Sequence, residues 1–332
     1  MRRLVGPLLS LVLALSPVAE AGKRKPKAAH AVKIGKKRGK VKAVKVAKRG
    51  KGGKARRAAR ERAVPVYTRG GMPNIQAHSA VVVDLATGQL LFEKNPDEVR
   101  SIASLSKLMA MMVVLERNLN LDGVTEIVKA DRDLARRGAR SRLPVGMKFT
   151  NRDLLHAALM ASDNRAVPAL GRAVGLSPQQ MAEAMTKRSQ QLGLTHTSFG
   201  DPPGLDERNR STPREVVRML QAALKVPLIA EITQRPTYVA SPVGRANWRI
   251  EYNNTDVIAR SRRFKVLGGK TGYTDQAGYC LAIAARLSGG RDVGMAFLGA
   301  HGKLTRFADF NRTAQWIAEK RPSSQSAALT KS

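Results

Sequence analysis

From residue 79 the chain reads SAVVVDLA, then Thr87-Gly88, then QLLFEK to residue 94. Two short apolar runs on either side of a turn signal predict a β-hairpin. Residues 102–116 are apolar on nearly every side of a helix, led by Leu105, Leu108, Met109, Met112 and Val113. That pattern predicts a buried helix, with the methionines as core filler. Thr150 followed by Asp153 resembles a capping box, opening a helix whose apolar residues Leu154, Leu155, Ala158 and Leu159 run up to Ser162. Ser177-Pro178 and Thr212-Pro213 each place a capping residue before a proline at the first helical position, and Gly193 is a stop signal for the first of these helices. Beyond Tyr238 the texture turns to β-like runs at 266–273, 278–287 and 291–299, followed by a last helix at 304–319. Strands, then helices, then strands and a helix predict an α/β fold: one antiparallel sheet built from both ends of the chain, with a helical insertion between them.

The ends of the 332-residue chain read differently. Arg2 and Arg3, an apolar run from Leu4 to Leu15 and the small-x-small triplet Ala19-Glu20-Ala21 form an export signal over residues 1–21. Twelve apolar residues followed by Pro17 are also compatible with a retained tether, and either reading takes the chain out of the cytoplasm, to the periplasm or cell-wall space. Residues 22–63 have no apolar periodicity and hold roughly half of the +34 formal net charge, which predicts a disordered basic arm. The arm is either a solvated spacer or an electrostatic attractor of polyanions; for an exported chain those are anionic wall or membrane polymers rather than nucleic acid. Residues 64–320 form the expected folded domain, and the Ser/Ala-rich residues 321–332 a disordered tail.

A single cysteine excludes an internal disulfide, and Cys280 sits in an apolar run that reads as core. His30, His78, His156, His196 and His301 have neither triad nor metal spacing, so no metal and no cofactor are expected. Chemistry is concentrated elsewhere, in three short motifs. Ser104 and Lys107 are three residues apart on the buried helix, Ser162-Asp163-Asn164 follows a helix, and Lys270-Thr271-Gly272 lies in a β-like run. Residues i and i+3 share a helix face, so Lys107 stands beside Ser104, and an amine there takes the hydroxyl proton if it is neutral part of the time. Burial and a second cation, Lys270, would supply the required depression of its pKa. The helix start at Ser104 favours developing negative charge.

Each motif alone is weak; in this order and context they are specific. The sequence resembles the low-molecular-mass penicillin-binding proteins, the D-Ala-D-Ala carboxypeptidase and DD-endopeptidase group, in these motifs and in the segments SIASLSKLMAMMVVLE, ALMASDNRA, FGDPPGLDERNRST and LGGKTGYTDQAGYCLAIAAR. The resemblance covers about residues 75–320. It implies the serine β-lactamase/DD-peptidase fold, peptidoglycan stem peptides as substrates and β-lactams as inhibitors. It implies Ser104 as nucleophile, Lys107 as base, Ser162 as a proton relay between Lys107, Lys270 and the leaving amine, and Asn164 as a holder of the substrate backbone. Asp163 is expected to point away and set its loop. Lys270 and Thr271 would bind the substrate carboxylate, Gly272 would let the substrate backbone lie against the strand, and the backbone N–H groups of Ser104 and Tyr273 would form the oxyanion hole. One departure is Pro203, where relatives carry Thr or Ser before Gly-Leu; it is expected to affect loop rigidity rather than chemistry. Typical carboxypeptidases of the group carry a further C-terminal domain, so the short end of this chain tilts the expectation toward endopeptidase activity or a mixture. A β-lactamase, and a catalytically idle binding protein working through its arm, stand as the alternatives; penicillin turnover and intact motifs respectively discriminate them.

Overall fold

The computed structural model describes residues 64–136, 138–261 and 263–319. The export signal, the basic arm and the C-terminal tail read from the sequence lie outside the described residues. The chain opens with β1 (Ser79–Asp84), β2 (Leu90–Lys94) and β3 (Arg100–Ser101), then a 3-10 turn at Ala103–Leu105 that leads into α1 (Ser106–Leu115). The insertion continues with β4 (Val124–Glu126), α2 (Lys129–Leu134), β5 (Lys148–Thr150), α3 (Asn151–Leu159), α4 (Ala166–Ala173) and α5 (Pro178–Gln191). It ends with β6 (Arg210–Ser211), α6 (Pro213–Leu224), α7 (Pro227–Gln234), the ribbon strands β7 (Thr237–Ala240) and β8 (Ile250–Asn253), and α8 (Val257–Arg260). Three long strands follow, β9 (Lys265–Thr274), β10 (Gly278–Arg286) and β11 (Asp292–Ala300), before α9 (Thr305–Glu319).

The predicted sheet is present, in the order β2-β1-β11-β10-β9, with every neighbouring pair antiparallel. Side chains alternate across it, and the two faces meet different layers. Ala80, Val82, Leu281, Ile283, Met295 and Phe297 pack with Phe307, Phe310, Trp316 and Ile317 of α9. Val81, Ala282, Ala284, Ala296 and Leu298 face the helical insertion, in one core with Leu108, Met109 and Met112 of α1 and Val216 and Leu220 of α6. The insertion side of the sheet is thus largely alanine, which lets helices approach the strands closely, while bulk is concentrated under α9. Because both faces are covered, β1 reads as an unbroken apolar run rather than as an alternation. Cys280 is buried, and its thiol is pushed up to about 11 by that burial.

Capping residues act as their types predict. Thr150, Ser177 and Thr212 each accept the backbone N–H three residues on, and Ser177 forms a full capping box with Gln180. The helix predicted at 102–116 differs at its start. Ala103 has φ +49, which no α-helix tolerates, so the chain makes one 3-10 turn before α1 begins. Helices α4 and α7 were not predicted: their eight-residue lengths carry too few periodic positions to stand out.

The two chain ends of the domain are tied by Asp309 of α9. Its buried carboxylate accepts the backbone N–H groups of Gln76 at 2.9 Å and Ala77 at 2.7 Å, just before β1. Asp309→Ala leaves the buried Ala77 amide and the half-buried Gln76 amide without their partner and is expected to cost about 2–4 kcal/mol of unfolding free energy in urea denaturation. A loss below about 1 kcal/mol would show that water replaces the carboxylate there.

Candidate active site

Ser104 lies in the 3-10 turn and Lys107 in the first turn of α1, so the three-residue spacing is kept across the junction. Lys107 Nζ donates to Ser104 Oγ at 2.7 Å. The lysine is completely buried and the serine is 8% exposed. Lys107 Nζ has two further acceptors, Asn164 Oδ1 at 2.7 Å and the backbone carbonyl of Pro203 at 2.6 Å. That carbonyl also accepts from Ser104 Oγ at 3.3 Å. Pro203 is therefore not only a stiffener of the cleft loop, as the sequence suggested: its main chain is a direct partner of the Ser–Lys pair. A carbonyl is present whatever the side chain, and for that reason the motif gave no sign of it.

The second motif splits its partners. Asn164 Oδ1 meets Lys107, whereas Ser162 Oγ accepts from Lys270 Nζ at 2.8 Å and not from Lys107. The relay expected of Ser162 thus has its Lys270 half in place and lacks the Lys107 half. Ser162 has φ +60, a backbone region that L-residues rarely enter and that marks a conformation enforced by its surroundings. Asp163 is turned away from the cleft, accepting from Ser141 Oγ at 2.8 Å and from the backbone N–H groups of Arg142 and Arg165 at 3.2 and 3.0 Å. Those three bonds hold the turn that presents its two neighbours.

The third motif occupies the edge strand β9. Lys270 is 1% exposed and donates to Thr271 O as well as to Ser162. Thr271 Oγ1 donates to Thr255 Oγ1 at 2.6 Å. Gly272 has a reason the sequence reading missed: a Cβ there would sit 2.8 Å from the Ile102 carbonyl and 3.1 Å from the Ser104 amide. The glycine lets the strand lie against the nucleophile's own turn, which brings the Ser104 backbone up to β9. Tyr273 is 48% exposed, its ring stacked on Tyr279 with centroids 4.2 Å apart and its hydroxyl bonded to Asp275. Arg306, from α9, was also missed, since a lone arginine in a helix carries no motif. It is buried and donates to the carbonyls of Gly272 at 2.7 Å and Cys280 at 3.0 Å.

Among the described residues, neither active-site lysine has a carboxylate in ion-pair contact. Burial lowers the Lys107 ammonium to about 7, against an opposing pull from Asp201 and Asp163. Lys270 is lowered well below the ordinary lysine range, first by burial, then by repulsion from Lys107 and Arg306, with Asp256 opposing. Around these groups opens a cleft of about 1560 Å³, lined by Ser104, Ser162, Asn164, Thr271 and Gly272 among others. The structure therefore brings together the motif residues other than Asp163: a serine hydroxyl beside an amine that is neutral part of the time, a second buried amine bonded to Ser162, and an open space at the serine.

A family model described as D-alanyl-D-alanine carboxypeptidase matches residues 67–302. The D-alanyl-D-alanine endopeptidase of Pseudomonas aeruginosa is 34% identical over 250 residues, covering 74% of this chain and 80% of that one. Its Escherichia coli counterpart is 33% identical over 252 residues, covering 75% and 80%. Among solved structures, the Streptomyces K15 DD-transpeptidase matches with a TM-score of 0.68 at 29% identity, over 74% of this chain and 98% of that one. The fold is that of the DD-peptidases.

Burying two amines that would be cationic in water weakens the fold that holds them. Lys270→Met keeps the length and apolar stem of the side chain and removes the charge, and is expected to raise the unfolding free energy by about 1–3 kcal/mol at pH 7. Urea denaturation of both forms measures this; a decrease of similar size would mean that the lysine's two hydrogen bonds outweigh the burial of its charge.

Proposed function

Since the chain belongs to the D-alanyl-D-alanine carboxypeptidase family, we propose that it is a serine DD-peptidase that hydrolyses D-Ala-containing bonds of peptidoglycan stem peptides through a Ser104 acyl-enzyme. The observation that carries this reading is the 2.7 Å contact between Ser104 Oγ and a fully buried Lys107 whose ammonium is lowered to about 7. Neutral Lys107 takes the Ser104 proton as Oγ attacks the D-Ala carbonyl; the C–N bond then breaks and the amine leaves with a proton. Water attacks the acyl-enzyme in the second half: Lys107 takes the water's proton and returns one to Ser104 Oγ as the ester bond breaks, releasing the carboxylate product. The backbone N–H groups of Ser104 and Tyr273 receive the developing oxyanion. Lys270 and Thr271 hold the substrate's carboxylate, and Ser162, bonded to Lys270, passes a proton on to the leaving amine. Asn164 has a double part, orienting Lys107 through Oδ1 while its NH₂ group is available to the substrate backbone. A β-lactam, which presents a strained amide and a carboxylate at similar spacing, acylates the same serine.

The endopeptidase branch is favoured by three relatives at 33–34% identity, all of which carry that name. Cleavage of a cross-link and release of terminal D-Ala use the same acyl-enzyme and differ only in the leaving amine. Mass spectrometry of products from a defined cross-linked muropeptide and from a D-Ala-D-Ala pentapeptide separates the two. The expected result is cleavage of the cross-link, with Ser104→Ala losing both this activity and covalent labelling by a fluorescent penicillin. Unchanged labelling of the alanine variant would exclude Ser104 as nucleophile.

The substrate lies outside the cytoplasm, and residues 1–21 have the pattern of an export signal, so the enzyme works in the periplasm or cell-wall space. Residues 22–63 add a dense positive charge next to a domain whose substrate is embedded in an anionic envelope, and this charge draws the enzyme to wall or membrane polymers. Deleting residues 22–62 is expected to weaken sedimentation with isolated walls at low salt while leaving muropeptide hydrolysis in solution intact. Equal sedimentation of both forms would leave the arm as a spacer.

A further inference from the structure

The Pro203 carbonyl reaches Lys107 because the loop that carries it is folded around two side chains outside the three motifs. Pro202 and Pro203 have no N–H, so the first amide donors after them are Gly204 and Leu205. Both are taken by Asp201: Oδ1 accepts from Gly204 N at 2.9 Å and from Leu205 N at 3.0 Å. Asn209, fully buried, accepts the Gly200 and Asp201 amides at 2.7 and 3.0 Å and donates to Asp201 O at 2.8 Å. The same amide donates to Ser106 Oγ at 2.9 Å, and Ser106 in turn donates to the Ala103 carbonyl. Gly204 has φ +85, and a Cβ there would fall 2.3 Å from Ala103 O, so the loop rests directly on the nucleophile's turn. Asp201 itself lines the cleft. The connections form a closed circuit that leaves the catalytic turn at Ala103, passes through Ser106, Asn209, Asp201 and the Pro203 carbonyl, and returns to Lys107.

We infer that Asp201 is a positioning residue for the base: by holding the Gly204 and Leu205 amides it aims the Pro203 carbonyl at Lys107 Nζ, and its negative charge favours the ammonium form of that lysine. The inference rests on Ser104 and Lys107 being nucleophile and base. Groups whose charge acts on Lys107 are Asp201 from this loop, Asp163 behind the Ser162 turn and Lys270 from β9. Asp201 acts also on Arg208, which is paired with Asp206. Of the two carboxylates, Asp163 is engaged by Ser141, Arg142 and Arg165, none of which carries a partner of Lys107, whereas Asp201 couples charge and geometry in one side chain.

These two contributions separate by substitution. Asp201→Asn keeps an Oδ1 that accepts both amides, so the carbonyl stays in place, but it removes the charge that favours the Lys107 ammonium. Asp201→Glu keeps the charge and displaces the acceptor by one methylene. The test measures the rate constant for acylation by a fluorescent penicillin from pH 5 to 9 in the full exported chain. It is paired with ¹³C NMR titration of Lys107 in protein labelled at lysine Cε, assigned by its absence in Lys107→Met. Asp201→Asn is expected to shift the acid limb of the profile, and the Lys107 titration with it, to lower pH by about half to one unit. The Asp201→Glu profile keeps its limb near the wild-type position and falls about tenfold or more at its plateau. A role confined to loop folding would lower the plateau in both variants without moving either limb, and superimposable titrations of Lys107 in wild type and Asp201→Asn overturn the inference. If wild type is not acylated at all, the DD-peptidase reading falls, while the NMR titration still decides whether Asp201 sets the Lys107 proton. Should Asp201→Asn fail to fold, the limb position in Asp201→Glu decides, since a limb that moves with the charge retained contradicts the assignment.

Discussion

Two amine-bearing side chains are buried beneath the residues that line one cleft, with no carboxylate among the described residues in ion-pair contact with either, and most of the local structure answers to that constraint. Lowering Lys107 from 10.5 to about 7 corresponds to a cost on the order of 5 kcal/mol for holding its proton. A domain has few such sums to spare, since total stability is typically only about 5–15 kcal/mol. The protein does not neutralise the cation with an ion pair, which would keep it charged and useless as a base. Neutral acceptors surround it instead: a hydroxyl, an amide oxygen and a main-chain carbonyl. These satisfy its N–H groups without restoring its pKa, and the distant charges of Asp201 and Asp163 keep the depression from going further.

Holding those acceptors requires backbone that would not form unaided. Ala103 and Ser162 both sit at positive φ, at a cost of about 1 kcal/mol or more each. Each is fixed from several sides. Ala103 is pressed by Gly204 on one flank and Gly272 on the other, and its carbonyl is held by Ser106. Ser162 is held by Lys270 at its hydroxyl and by the three bonds to Asp163 next to it. The sheet supplies the rigid reference for both. Its alanine-rich face allows α1 and α6 to share one core with the strands, and α9 covers the opposite face with larger side chains while sending Arg306 to the Gly272 carbonyl.

The sequence makes the architecture legible wherever local rules and tertiary packing agree. The strands 266–273, 278–287 and 291–299 appear within a residue or two as β9, β10 and β11, and the prolines after Ser177 and Thr212 mark helix starts that the structure keeps. The helix at 102–116 was legible as buried but not as broken, because an alanine at positive φ is imposed by Gly204 and Gly272 from distant parts of the chain. The site divides the same way. Side-chain chemistry at fixed spacing exposed Ser104, Lys107, Ser162, Asn164, Lys270 and Thr271. The Pro203 carbonyl, the Asp201–Asn209 circuit and Arg306 act through main-chain groups or through folding that brings residues about a hundred positions apart into contact, and no local pattern encodes them. The glycine of the third motif was legible as a place of close approach; that the protein's own turn also approaches there was not, because Ile102 and Ser104 are distant in sequence.

The partners of Lys107 also explain how one geometry serves both protonation states. As an ammonium the side chain has three N–H bonds and three acceptors, so every donor is satisfied. As a neutral amine it has two N–H bonds and one lone pair. Asn164 Oδ1 and the Pro203 carbonyl can only accept, so the two N–H bonds must point at them, and the lone pair is left facing the one partner that can donate, the Ser104 hydroxyl. The hydroxyl, freed of the lysine's proton, turns its own hydrogen from the Pro203 carbonyl at 3.3 Å to the amine at 2.7 Å. No heavy atom needs to move. Two acceptor-only neighbours therefore convert loss of a proton into orientation of the base, and that is why a main-chain carbonyl, which cannot be protonated or become a donor, suits the third position.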